Sequence, residues 1–270
     1  MWTSRCRSIP ILELGFLLLS AGCVSKPVEE TVEGGIYVAI EDRWSEAWAI
    51  CQPPVPFVRS PRYPAELTRE CEERLEVDLE VQWETFYDSD ALEVLLEGAF
   101  HLLGRGAGVL SDLEEGEYIR ADFIREMQAV SEALGTDELS AIYYNYVMFH
   151  IEQSVGWENP DTSWGSASIA LDPETHTLLV SAWPGVDGLT YASFLVHEAT
   201  HGLYDETPHV PCPGSGQLAC DDDWGGSLGF QAAAATTWRP WLSREDDSYE
   251  DWEEIIAEIQ ENTADQILAD

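Results

Sequence analysis

The chain has 270 residues, of which 45% are hydrophobic and 11% aromatic, so it is neither disordered nor collagen-like and is long enough to bury a substantial core. Its 51 Asp and Glu residues against 13 Lys and Arg residues give a formal net charge of −38. A field of that sign repels phosphate backbones, which argues against a nucleic-acid partner and against electrostatic docking on anionic lipid.

The N-terminal segment, residues 1–22, has the organisation of an export signal. Arg5 and Arg7 precede an apolar stretch that is too short to span a bilayer as a stable helix. The Leu-Ser-Ala-Gly-Cys sequence that ends at Cys23 resembles the lipobox of bacterial lipoproteins, in which the chain is cut before a lipid-carrying cysteine. The resemblance implies a lipid anchor on Cys23 in the bacterial cell envelope. Val24 in place of an Asp implies the outer membrane, with the protein facing the periplasm or the surface. An ordinary secretory signal and a buried strand are the alternatives.

The remaining cysteines fit an exported protein. One cysteine leaves with the signal and Cys23 takes the lipid, and the even number left over predicts two disulfides. Pairing of neighbours is the simplest of the three connectivities, which joins Cys51 to Cys71 and Cys212 to Cys220. A zinc–cysteine cluster is the alternative, but no CxxC pair is present.

The mature chain divides into three parts. Residues 23–35 are acidic and poor in apolar side chains, so we predict a tether between the lipid and the folded domain. Residues 36–155 have mainly helical periodicity and form a helical region of unknown role, whereas residues 156–270 combine strands with helices. We therefore expect a helix-dominated α+β fold. Helices of the first region are predicted over 41–51, 64–77, 90–103, 118–134 and 137–155.

The second region begins with strand-like segments. Residues 166–171 and 177–183 are rich in β-branched and apolar side chains and flank a turn sequence, which predicts a β-hairpin. Thr190 is a candidate cap for a helix over 191–204. A helix of small residues is expected over 226–238, and an acidic helix over 245–268.

The helix over 191–204 contains the pattern HExxH, which begins at His197 and ends at His201. Four-residue spacing on a helix puts the two imidazoles one turn apart on the same face, where both can bind one metal ion. Zinc suits such imidazole ligands. Glu198 lies beside that site, where a carboxylate can accept a proton from water. The simpler alternative is two core histidines and a surface glutamate.

Here the chain resembles the zincin metallopeptidases, in which a strand bordering the cleft precedes an HExxH helix. The resemblance is specific over 194–203 and suggestive over 166–240. It implies that His197 and His201 bind Zn²⁺ and that Glu198 is the general base of peptide hydrolysis. It further implies a small sheet or hairpin packed on the active-site helix, and a protein, peptide or cell-wall peptide as substrate.

The sequence leaves the identity of the third metal ligand undecided. A metzincin pattern would need Gly at position 204 and His at position 207, where this chain has Tyr204 and Thr207. His209 lies nearest the motif and is the preferred candidate, since a turn can bring it back. Asp221 is the alternative, because residues 221–225 approximate the D-x-x-Y-G pattern of aspzincins. Asp221 to Asp223 could instead cap a helix. The lesser candidates are Asp205, Glu206, Asp222 and Asp223.

Two other classes of protein remain compatible with the sequence. One is a non-catalytic zinc-binding envelope lipoprotein, or a degenerate peptidase that acts as a binding module. Three protein ligands with an open position would favour an enzyme, whereas four would favour a structural site. The other is an envelope interaction protein in which HExxH is coincidental, and this class predicts no bound metal.

Overall fold

The computed structural model of the chain describes residues 40–51, 68–78, 108–151, 156–158, 168–172, 177–181, 188–203, 209–216, 218–238 and 249–269. The predicted signal over 1–22, the tether with Cys23 and the helix predicted over 90–103 lie outside these residues. Within the described ranges, no helix combines the length and apolar character needed to cross a bilayer.

Helices dominate the described part of the chain, and strands form two small sheets. The helices are α1 (Trp44–Cys51), α2 (Arg69–Asp78), α3 (Ala121–Leu134), α4 (Leu139–Ile151), α5 (Gly188–Leu203), α6 (Ser227–Trp238) and α7 (Tyr249–Ala264). A 3₁₀ turn spans Leu110–Asp112. The strands are β1 (Gly156–Glu158), β2 (Ser168–Asp172), β3 (Thr177–Ser181), β4 (Val210–Pro211) and β5 (Leu218–Cys220). The helix-dominated α+β class predicted from the sequence is therefore confirmed.

Helix α4 lies at the centre of the core. It is apolar around its whole circumference, and 12 of its 13 residues are buried, as expected for a helix with neighbours on every side. It packs against α1, α3 and α5. Its Tyr143 hydroxyl donates to Thr237 on α6 at 2.7 Å, and its Tyr146 hydroxyl lies 3.2 Å from that of Thr200 on α5. These bonds fix α5 and α6 relative to the core.

Helix α6 is the second buried helix, and it packs between α5 and α7. Its Ala232–Ala235 run is fully buried, and such small side chains let neighbouring helix axes approach closely. Gly229 is required by the same crowding, because a Cβ there would lie 2.0 Å from the carbonyl oxygen of Trp224. The small residues that predicted this helix from the sequence thus allow its tight contact with α5.

The three-stranded sheet has β3 at its centre, with β2 antiparallel on one side and β1 parallel on the other. The β2–β3 pairing confirms the predicted hairpin, whereas β1 was not predicted. Strand β2 packs against α5. The sheet therefore lies on the helix that carries the HExxH pattern.

Both predicted disulfides are present. The Cys51–Cys71 bond joins the end of α1 to the beginning of α2, and the Cys212–Cys220 bond closes the β4–β5 ribbon. The ribbon was not predicted. Helix α7 ends at Ala264, four residues before the predicted boundary, because the Leu268 amide donates to the carbonyl oxygen of Asp221 at 2.9 Å instead of continuing the helix.

Candidate metal centre

Helix α5 supplies two imidazoles to one point. His197 and His201 are one turn apart, and their Nε2 atoms lie 3.2 Å from each other. The preceding residues Leu195 and Val196 are fully buried in the core, which fixes the rotation of the helix about its axis. The His197 side chain is 12% exposed, so the site lies at the edge of the core and remains accessible.

The β4–β5 ribbon supplies a third imidazole. His209 directly precedes β4, and its Nε2 atom lies 3.2 Å from the Nε2 atoms of both His197 and His201. The Cys212–Cys220 bond closes the ribbon three residues further on. The three nitrogen atoms therefore form a triangle with equal sides, built by a helix and a disulfide-closed ribbon.

The size of this triangle can be compared with that of a tetrahedral zinc site. Zinc–nitrogen bonds of about 2.0–2.1 Å at tetrahedral angles imply nitrogen–nitrogen separations of about 3.3–3.4 Å. The observed separations of 3.2 Å agree with this value. Three ligands of one type also leave a fourth tetrahedral position, which is the arrangement of catalytic zinc sites.

Contacts on the far side of two rings fix their tautomers. His197 Nδ1 lies 3.0 Å from Gln231 Oε1, and His209 Nδ1 lies 2.8 Å from Asp221 Oδ1. Amide and carboxylate oxygens accept hydrogen bonds, so each Nδ1 carries a hydrogen and each Nε2 of a neutral ring carries a lone pair. Outer partners of this kind orient metal-bound histidines.

The Nε2 lone pairs at the triangle favour the binding of a cation. With both rings neutral, the Nε2 lone pairs of His197 and His209 face each other at 3.2 Å, and the two rings then form no hydrogen bond with each other. Burial, together with the neighbouring His201 and His209, holds the pKa of His197 well below its usual value, which keeps its ring neutral. A metal ion at the triangle would satisfy all three nitrogens at once.

Asp221, the alternative third ligand, lies outside the triangle. Its Oδ1 atom accepts from His209, and its Oδ2 atom accepts from the Leu228 amide at 2.8 Å in the first turn of α6. A Cβ at Gly226 would lie 2.3 Å from that second oxygen, so the glycine makes room for the carboxylate. Asp221 therefore caps α6, which is one of the two roles considered for it, and it supports His209 instead of forming a corner of the triangle.

The other acidic candidates are placed as follows. Asp222 and Asp223 are exposed, and Asp223 Oδ1 accepts from the Gly225 amide at 2.7 Å within its own turn. Asp205 and Glu206 lie outside the described residues. Among the residues that are described, the group of nitrogen and carboxylate donors able to hold one ion consists of His197, His201 and His209.

Glu198 lies where the HExxH pattern predicts. Its side chain is 4% exposed, and its Oε1 atom is 3.9 Å from His197 Nε2. The carboxylate therefore borders the triangle without forming one of its corners. A water molecule held at the fourth position would lie within hydrogen-bonding reach of such a carboxylate.

Sequence reasoning missed two residues of the site, Gln231 and Ser193. Neither belongs to a recognisable spacing pattern. The available signal was the sequence of α6, where Gln231 is a long polar side chain beside a run of alanines. A buried amide in such a helix must find hydrogen-bond partners, which suggests contact with a polar group on the facing helix.

Comparisons with known protein families, with characterised proteins and with solved structures gave no match to this chain.

Proposed function

We propose that this protein is a zinc-dependent hydrolase that cleaves peptide bonds. The observation that carries the proposal is the triangle of three Nε2 atoms, 3.2 Å apart, with the Glu198 carboxylate 3.9 Å from one corner. In their neutral form the rings of His197 and His209 present Nε2 lone pairs to a common point. The arrangement joins metal ligands to an adjacent proton acceptor, and this pairing is the minimum that metal-assisted hydrolysis requires.

His197, His201 and His209 would hold the metal. Neutral imidazoles suit zinc, copper, iron and nickel, and the 3.2 Å spacing is compatible with tetrahedral zinc. Bound there, zinc would lower the pKa of a water molecule and polarise the carbonyl group of a substrate.

Glu198 would serve as the general base and then as the general acid. Its carboxylate accepts the proton of the attacking water and delivers it to the nitrogen of the leaving amine. Burial of the side chain limits competing contacts with bulk water, and α5 holds the carboxylate at a constant distance from the histidines. The acidic surface of the chain, with a net charge of −38, favours cationic peptides as substrates.

A non-catalytic zinc-binding lipoprotein is the second candidate. A structural zinc site normally has four protein ligands. In the described part of the chain the group consists of three histidines, and Asp221, the carboxylate nearest to His209, is engaged with Nδ1 of that ring. This favours the enzyme.

We further propose that the protein is exported and lipid-anchored through Cys23 in the cell envelope. Two disulfides support an oxidising compartment, since such bonds are rare in the reducing cytosol. Enzyme and substrate would then meet outside the cytoplasm.

The test compares the full chain, purified in detergent, with Glu198→Gln and with Glu254→Gln, an exposed carboxylate on α7 that serves as a matched control. All three proteins should contain about one zinc per chain. Glu198→Gln should hydrolyse an unbiased peptide library about 10²- to 10⁴-fold more slowly than the other two. Equal cleavage by Glu198→Gln and the parent would refute the role of Glu198. Zinc binding without cleavage by any of the three would favour the non-catalytic candidate.

A further inference from the structure

A line of hydrogen bonds runs from the backbone of α5 through α6 to the metal centre. The Ser193 hydroxyl donates to the Thr190 carbonyl oxygen at 2.7 Å. Gln231 Nε2 donates to Ser193 Oγ at 2.8 Å, and Gln231 Oε1 accepts from His197 Nδ1 at 3.0 Å. Ser193 is fully buried and Gln231 is 5% exposed.

The bond between Ser193 and the Thr190 carbonyl oxygen fixes which group donates in each of the other hydrogen bonds. A carbonyl oxygen only accepts, so the Ser193 hydroxyl must donate its single hydrogen to the Thr190 carbonyl oxygen. Ser193 Oγ can then only accept from Gln231, which requires the amide nitrogen at that position and the amide oxygen toward His197. The orientation of a glutamine amide is often ambiguous, but here the neighbouring bonds settle it.

From this geometry we infer that Gln231 is a positioning residue for the metal centre. It holds the hydrogen of His197 on Nδ1 and leaves Nε2 bare toward the other two histidines. Ser193 keeps the amide from turning over, because a reversed amide would place its oxygen against Ser193 Oγ, whose only hydrogen is already donated to Thr190. The inference rests on the proposed metal site, and it assigns Gln231 an effect on metal affinity through His197.

The chain contains a matched control for Gln231. Gln260 on α7 is also a buried glutamine, with 4% exposure, and its Nε2 atom donates to Thr236 Oγ1 at 2.7 Å. Thr236 in turn donates to the Ala232 carbonyl oxygen at 2.9 Å. The two glutamines therefore have similar burial and each donates to a hydroxyl group, and Gln231 in addition contacts a histidine.

The first experiment measures the zinc affinity of the full chain by competition with a chromophoric chelator. Gln231→Leu should weaken zinc binding about 10- to 100-fold, whereas Gln260→Leu should leave it unchanged although it removes a comparable bond. Leucine is preferred to alanine because Gln231 borders a cavity of about 480 Å³, from which water could replace a truncated side chain. Gln231→Glu, which keeps an acceptor facing Nδ1, should bind zinc more tightly than Gln231→Leu.

The second experiment records the tautomer of His197 in the metal-free chain by heteronuclear NMR of the imidazole nitrogens. The parent should carry the hydrogen on Nδ1, and Ser193→Ala should show a mixture of tautomers. This variant tests the inference even if Gln231→Leu fails to fold. An unchanged tautomer in Ser193→Ala, or equal zinc affinities for Gln231→Leu and Gln260→Leu, would overturn the inference.

These outcomes are separable from the proposed function. A parent that binds zinc but cleaves no peptide would refute the peptidase, and the affinity ranking of the variants would still support the inference. A parent that cleaves peptides, with a Gln231→Leu variant that binds zinc normally, would refute the inference alone.

Discussion

Replacement of Asp221 by asparagine tests how strongly the ribbon histidine depends on its carboxylate. Asp221 is held by four bonds: its two carboxylate oxygens accept from His209 and from the Leu228 amide, and its backbone bonds in both directions to Gln266 and Leu268. Asparagine has the same shape but offers one acceptor and one donor. Whichever way its amide turns, a donor faces either Leu228 N–H or His209 Nδ1–H.

The expected loss follows from this mismatch. A hydrogen bond to a charged group contributes about 1.5–3 kcal/mol, and the upper value corresponds to roughly 150-fold in binding. Part of this energy is lost equally from the metal-free protein. Replacing a residue that hydrogen-bonds to a metal-bound histidine usually reduces metal affinity about 10- to 100-fold. We expect Asp221→Asn to fall in this range because the Asp221 side chain is only 6% exposed.

The assay is zinc competition in the full chain, with Asp222→Asn as the control. Asp222 is exposed and adjacent, so its replacement removes the same charge without the contact to His209. If the two variants bind zinc equally well, the Asp221–His209 contact contributes nothing to metal affinity. If Asp221→Asn abolishes zinc binding while His209→Ala retains it, Asp221 and not His209 is the third ligand.

Removal of either disulfide should lower stability, but only removal of Cys212–Cys220 should also weaken zinc binding. Replacing both members of Cys51–Cys71 by serine should cost about 3.3 kcal/mol of unfolding free energy, as expected for a sequence separation of 20, and should leave zinc affinity unchanged, since none of the three histidines lies between these cysteines. Removing Cys212–Cys220, with its separation of 8, should cost only about 2.5 kcal/mol but weaken zinc binding, as chelator competition and denaturant titration would show. Equal zinc affinity in both double variants would argue against the ribbon as a support for the ligand. A separate prediction concerns His150 in α4, where burial lowers the pKa to about 3. In the unfolded state His150 binds a proton near pH 6.5, so stability is lost as the pH falls from about 6.5 toward 3. Between pH 7 and 5, the free energy of unfolding of the metal-free parent should fall by about 2 kcal/mol more than that of His150→Phe. An identical loss in both proteins would contradict the lowered pKa of His150.

The local part of the site could be predicted from the sequence. Spacing of four on a helix is enough to place His197 and His201 on one face, and it places Glu198 beside them without further information. The nearest histidine, His209, was the preferred third candidate on the same grounds of proximity. The structure brings its Nε2 atom to 3.2 Å from those of the other two.

The long-range part could not be predicted. Asp221 and Gln231 reach the histidines only because the ribbon, α6 and the C-terminal residues meet at one place, and no spacing rule relates positions 209, 221 and 231. For Asp221 the sequence offered a carboxylate at a plausible distance along the chain, but it could not distinguish a ligand from the partner of a ligand. The distinction depends on which ring nitrogen the carboxylate faces.

The end of the C-terminal helix was predicted incorrectly for a similar reason. The apolar periodicity of the C-terminal helix runs past Ala264, but the backbone of Gln266 and Leu268 is taken by Asp221. A tertiary partner thus ends the helix where its own sequence would allow it to continue. The α+β class and the hairpin, which depend on local patterns, were predicted correctly.

The outer contacts of the metal centre converge on one buried helix. Gln231 lies on α6, and Asp221 is bonded to the first turn of α6 through the Leu228 amide. Two of the three histidines, one from α5 and one from the ribbon, are therefore oriented by the same element, and α6 is itself packed between α5 and α7. Because 11 of the 12 residues of α6 are buried, it cannot shift to accommodate a misplaced ligand without disturbing the core. The packing of the interior thus supports a site at the molecular edge, and through Asp221 this support extends to the histidine that precedes the short ribbon.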